Sequence, residues 1–167
     1  MTETHRRLFF AAMFALVFYL VGASFVESFV TYRRWRFVGA DTFPAYYAAL
    51  APRIIRVMVL PGVVEIVLTV ALLWLRPRSI PRWTVAAALA LNIVRFVTTA
   101  IGQTRLQGVL ADDGISLMAI DRLVRIDYVT QAASIARAGL YVWMMVLMLG
   151  EPDRKEDGRS VYAADRG

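Results

Sequence analysis

Asn92, Arg95, Thr99 and Gln103 follow one another at spacings of three, four and four residues. On a helix that spacing stacks them along one face. Asp127, Gln131, Ser134, Arg137 and Tyr141 form a second stripe, at spacings of four, three, three and four. Both stripes run through chain that is otherwise apolar; residues 85–102 read VAAALALNIVRFVTTAIG, with Arg95 near the middle. A charge at the centre of a bilayer costs about 2.5–3.5 kcal/mol on insertion scales, so Arg95 needs a partner. Two glutamates sit in comparable surroundings. Glu65 has Thr69 one turn on and Pro61 one turn before, and Glu27 lies two turns beyond Tyr19. Glu27 and Glu65 against Arg95 and Arg137 sum to zero, as a low-dielectric interior demands.

Depth selects among the pairings. Arg95 is twelve residues from Trp83, about 18 Å at ~1.5 Å per residue. Glu65 is ten residues from Leu75, about 15 Å from the same side. Arg95 is therefore expected to pair with Glu65, while Glu27 and Arg137 lie nearer the opposite face. Carboxylates beside cations and amides are the equipment of acid–base chemistry, since unequal settings let one carboxyl act as acid and another as base. The catalytic candidates are Glu65, Glu27, Arg95, Asn92, Arg137 and Asp127. Tyr19, Thr99, Gln131, Tyr141 and Trp35 are candidates for holding a substrate. The competing reading is structural, because buried polar pairs also fix the register of membrane helices.

Other chemistries lack their residues. There is no cysteine, and the single histidine, His5, lies in the N-terminal segment, so haem, zinc and copper sites are not expected. A hard cation among Glu27, Glu65 and Asp127 would meet two arginines, so no metal and no cofactor is expected. No glycine-rich phosphate loop or nucleophile elbow occurs, and DDG at 112–114 reads as a turn.

The elements that must position these residues are long and apolar. The 167 residues are 59% hydrophobic, with a mean hydropathy of +0.55, too apolar for an ordinary soluble domain. Four stretches, about 8–30, 54–75, 83–102 and 128–149, are long enough to cross a hydrocarbon core of about 30 Å. Such segments satisfy their own backbone hydrogen bonds as helices. The predicted fold is all-α: one integral membrane four-helix bundle over residues 1–150, with a disordered tail over 151–167. The first stretch reads as a retained helix rather than a signal peptide.

The RPRSIPR turn joins the second and third helices tightly. The 31–53 and 103–127 connections are long and share one side. They are expected to be interfacial segments anchored by Trp35, Tyr46 and Tyr47, or a lid over a cavity, with a short amphipathic helix from Ser116. Arginine and lysine are slightly more abundant on the side of both termini, which favours cytoplasmic termini and the cell membrane. The net charge of +6 belongs to loops and headgroups, with no motif for nucleic acid. The expected partners are a hydrophobic small molecule and membrane lipid; homo-oligomer formation is left open.

Three segments carry a family likeness: VESFVTYRRW at the end of the first helix, WLRPRSIPRW around the tight turn, and IDRLVRIDYVTQAASIARAGL leading into the fourth helix. With the layout of residues 8–149, they resemble the anthrone-oxygenase-like family of small four-helix membrane proteins. Where that family often has Asn-Trp-x-Arg-Thr, this chain has Asp127, Tyr128, Val129, Thr130 and Gln131. The resemblance implies secondary metabolism of polyketide type and oxidation of an activated aromatic carbon by O2 without a cofactor. The protein would remove a proton with Glu65 or Glu27 and hold the enolate with Arg95, Asn92 or Arg137. The same groups suit epoxide opening on a lipophilic terpenoid or polyketide, by hydrolysis or cyclisation. There Asp127 or a glutamate is the acid and Tyr19 or Tyr141 a helper. A transport or assembly subunit is the non-enzymatic alternative.

Overall fold

The computed structural model describes residues 2–113 and 116–150 and contains no strand among them. Four helices are long and apolar enough to cross a membrane: α1 (Glu3–Phe37), α2 (Phe43–Leu75), α3 (Arg82–Leu110) and α4 (Leu117–Leu149). The turn between α2 and α3 is as tight as its prolines suggest. Arg76 is extended ahead of Pro77, as residues before proline prefer, and Pro81 is extended at the start of α3. Arg6 of α1 donates to the Arg76 carbonyl at 3.2 Å, tying the first helix to this turn.

The long connections are not loops. The chain leaves helix at 38–42, and α4 begins at Leu117. Ser116 does start a helix, its hydroxyl accepting from the Ala119 N–H at 3.3 Å, but that helix runs unbroken to Leu149. The reason is amphipathicity. Arg33, Arg34, Arg53, Arg105, Arg122 and Arg125 are exposed on the outer faces. Tyr32, Trp35, Phe43, Leu110, Ile120 and Leu123 turn inward as a separate core. Charged stretches that read as connections are helices continuing past the apolar zone. Trp35 is consequently no interfacial anchor: it is fully buried, edge-on to Phe43 and Tyr47. The 151–167 tail and Gly114 of the DDG turn lie outside the described residues.

At the other end, near the tight turn, Phe10, Met13, Val17, Leu72, Val85, Ala88, Tyr141 and Met144 make a second apolar core. Between the cores three helices widen into π-helical turns: Glu27–Thr31 in α1, Ile55–Val59 in α2 and Thr98–Gln103 in α3. Such turns occur often at functional sites. In α2 the cause is visible. Pro61 has no N–H for the carbonyl four residues back, Val57. The Tyr19 hydroxyl supplies the missing donor at 2.9 Å. In α3, Gly102 lets the widened turn lie against α4, since a Cβ there would stand 2.9 Å from Ile126 Cγ2.

Candidate functional site

The polar stripes meet in the layer between the two cores, and they divide by charge. Glu65, fully buried on α2, accepts at Oε2 from Arg95 Nη2 at 3.1 Å and from Arg137 Nη1 at 2.9 Å. Arg137 Nη1 also stands 2.8 Å from Oε1, out of hydrogen-bond alignment. Asn92 Oδ1 accepts from the same two nitrogens, at 3.2 and 2.9 Å. One carboxylate and one amide oxygen thus bridge two guanidinium groups that would otherwise repel each other. The Arg95–Glu65 pair stands where depth put it. Arg137 does not stay near the opposite face. It lies twelve residues from Leu149, as Arg95 lies twelve from Trp83, so the two arginines share a level. The four charges therefore do not gather into one neutral set.

Glu27 belongs to the other end of the layer. There Asp127 accepts from Gln103 Nε2 at 2.9 Å and lies 3.5 Å from Gln131 Nε2. Gln103 also reaches Thr130 at 3.3 Å, and Gln131 donates to the Ser24 hydroxyl at 2.9 Å and carbonyl at 3.1 Å. These contacts hold α1, α3 and α4 at one level. Glu27 Oε1 is buried with no hydrogen-bond partner among the described residues. Beyond it, Tyr47 donates to Gln107 at 3.0 Å and Gln107 to Tyr32 at 3.2 Å, linking this end to the aromatic core.

A cavity of about 230 Å³ runs between the two ends. Arg95 lines one end; Glu27, Asp127, Gln103 and Tyr32 line the other. Eight residues of α3 separate Arg95 from Gln103, about 12 Å of helix. Apolar side chains, among them Ile54, Met58, Val63, Ile66 and Phe96, form much of the wall. Gly62 lies beside the arginine, where a Cβ would stand 3.7 Å from Arg95 Nη2, so α2 approaches the guanidinium closely.

Of the residues singled out from the sequence, Glu27, Asp127, Arg95 and Thr99 line the cavity. Glu65, Asn92 and Arg137 stand behind Arg95 and fix it. The other four lie elsewhere. Tyr19 is on the outer face bonded to Val57, and Trp35 is inside the aromatic core. Gln131 is turned to Ser24. Tyr141 stacks on Phe10 with its hydroxyl 3.4 Å from Thr69. Six polar lining residues were not among the candidates: Ser24, Tyr32, Gln103, Thr104, Gln107 and Thr130. Gln103 already stood at the end of the α3 stripe, and Gln107 continues it four residues on. Ending the helix at 102 left Gln107 out. Among the described residues no three His, Cys, Asp or Glu side chains are grouped to hold a metal ion.

Comparison with protein-family models, curated proteins and solved structures finds no match for this chain.

Proposed function

We propose that the chain is a membrane-embedded enzyme doing acid–base chemistry on a lipophilic small molecule, with Glu27 as the base and Arg95 as the cation that holds an oxyanion. The supporting observation is the polarity of the cavity: carboxyl groups at one end, a guanidinium at the other, apolar walls between. Glu27 lines the cavity and its Oε1 is buried without a hydrogen-bond partner among the described residues, which suits proton removal. Arg95 is held in place by Glu65 and Asn92 before any substrate arrives, which suits charge stabilisation without reorganisation. Glu65 thereby becomes a positioning residue rather than the base.

A carboxyl group and a guanidinium at opposite ends of an apolar cavity favour a carbon acid conjugated to its carbonyl across a ring, as in an anthrone. Glu27 takes the proton and the electron pair moves to the carbonyl oxygen facing Arg95. The enolate carbon then bonds to O2, and the peroxide takes a proton. Loss of water across the C–O–O–H group leaves a new carbonyl: the carbon is oxidised and O2 is reduced to water and the ketone oxygen.

A second reading has its own observation, the two carboxyl groups at one end. Glu27 and Asp127 suit epoxide opening, one giving a proton to the epoxide oxygen and the other taking a proton from water. We place both termini on the cytoplasmic side of the cell membrane by the distribution of arginine and lysine.

The test uses membranes holding the protein, an anthrone as carbon acid, and D2O. The expected result without O2 is protein-dependent deuterium exchange at the ring methylene, lost in Glu27→Gln, and with O2 conversion to the ketone. Hydration of lipophilic epoxides with no such exchange would select the second reading. Neither activity with either substrate class would remove the enzymatic proposal.

A further inference from the structure

The cavity lies between two packed clusters. On the side of the aromatic core, Trp35, Phe43, Leu110, Ile120 and Leu123 are fully buried and packed together. On the side of the tight turn, the Glu65–arginine cluster rests on the second apolar core. Laterally the situation differs. Helices α2 and α3 pack against each other through Phe43–Ile54 with the 104–113 stretch, and again through Leu60–Leu75 with Arg82–Val97. Between those contacts lie the two π-helical turns, Ile55–Val59 and Thr98–Gln103, and there the helices part.

The residues at the gap have two faces. Val59, Val63 and Phe96 line the cavity and are also 48%, 47% and 51% exposed on the outside of the bundle. Ala100 and Thr104 share this double character. The rim is almost wholly apolar although the interior is polar. Arg56 and Arg105, exposed one turn or less toward the aromatic core, mark the headgroup level on that side, because arginine at a helix end reaches for the interface. The gap thus opens just inside the headgroups, where amphiphilic molecules concentrate.

We infer that the cavity is reached sideways from the hydrocarbon, through a window between α2 and α3 framed by Val59, Val63, Phe96, Ala100 and Thr104, by amphiphilic molecules dissolved in the bilayer. The route goes beyond the reaction proposed above, and its test needs no turnover. A guest slides in along the apolar rim and turns its polar groups toward Arg95 on one side and the carboxyl end on the other. Water-soluble molecules would have to pass the aromatic core packed among the described residues at the loop end.

The full chain in phosphatidylcholine vesicles is irradiated with a lipid-soluble alkyl diazirine, a probe that esterifies carboxyl groups, and the adducts are located by peptide mass spectrometry. The expected result is an adduct on Glu27 or Asp127 that is lost in Ala100→Trp and in Val63→Trp, which plug the window. It should persist in Val129→Trp, on the outer face of α4. Thermal melting of each variant in detergent separates plugging from unfolding, and two plugging positions guard against one failing to fold. An adduct that survives both plugs overturns the window. So does the absence of any adduct on the two carboxyls while outward-facing residues are labelled, or stronger labelling there by a water-soluble carbodiimide. Activity toward anthrones or epoxides has no part in the readout, so failure of the window and failure of the reaction are told apart.

Discussion

The two halves of the bundle are built from the same four helices and differ in one respect. Near the tight turn, α1 to α4 are regular, and their apolar faces close on Phe10, Met13, Leu72 and Tyr141. Toward the loops, three of the four carry an extra residue in one turn, and the bundle opens around polar groups. The difference teaches that the space comes from the backbone rather than from small side chains. An inserted residue pushes a helix wall outward and turns the following side chains to a new face. Each insertion leaves backbone groups to satisfy, and in an apolar surround these need partners from the protein. Tyr19 serves Val57 in this way, and the Thr99 carbonyl accepts from both the Thr104 N–H and, at 3.1 Å, the Thr104 hydroxyl.

The sharpest way to break the contrast is to disturb the charged layer that divides the halves. Glu65→Gln strands two guanidinium groups with only amide partners and should cost about 3–5 kcal/mol, read as the largest fall in melting temperature in detergent. Arg95→Gln leaves Glu65 still bonded to Arg137 and should cost less, about 1–3 kcal/mol. The double variant Glu65→Gln/Arg95→Gln completes the cycle. Recovery of stability in the double variant would mark the pair as mutual neutralisation, and additive losses would show that Arg137 is the main partner.

Closing the widened half should have a smaller effect. Gly102→Ala drives a Cβ into Ile126 and should lose about 1–3 kcal/mol, as overpacked sites do. A melt equal to the parent's would mean that α3 shifts freely there. Tyr19→Phe removes one hydrogen bond and should lose about 1 kcal/mol. In a Pro61→Ala background, where the backbone N–H returns, the same change should cost nothing measurable, so the pair of variants tests whether the hydroxyl replaces the missing donor. Glu27→Gln is the last case. It should leave the melt within about 0.5 kcal/mol of the parent while abolishing deuterium exchange, separating the carboxyl end from the structural layer.

Much of the helical layout could be read from apolar run length, and the Arg95–Glu65 pair from simple depth counting. The errors have physical origins. Arg33, Arg53, Arg122 and Arg125 made the outer stretches look like connections because charge density hides a helix whose other face is apolar. Starting the fourth helix at 128 then misplaced Arg137, and ending the third at 102 hid Gln107. The π-helical turns were beyond reach of pattern. Helical periodicity assumes an unbroken register, and only Pro61 hinted that α2 would lose it. The turn in α1 has no local signal, so the position of Glu27 opposite Asp127 could not be counted along the chain.

The Tyr19–Val57 bond has a consequence for affinity. It lies on the outer face of the bundle, where hydrocarbon offers no other donor to the carbonyl, so the wide turn of α2 is latched from outside rather than propped from within. An empty cavity then keeps its width. A guest need not prise the helices apart, and the free energy of its contacts goes to holding it in place rather than to making room.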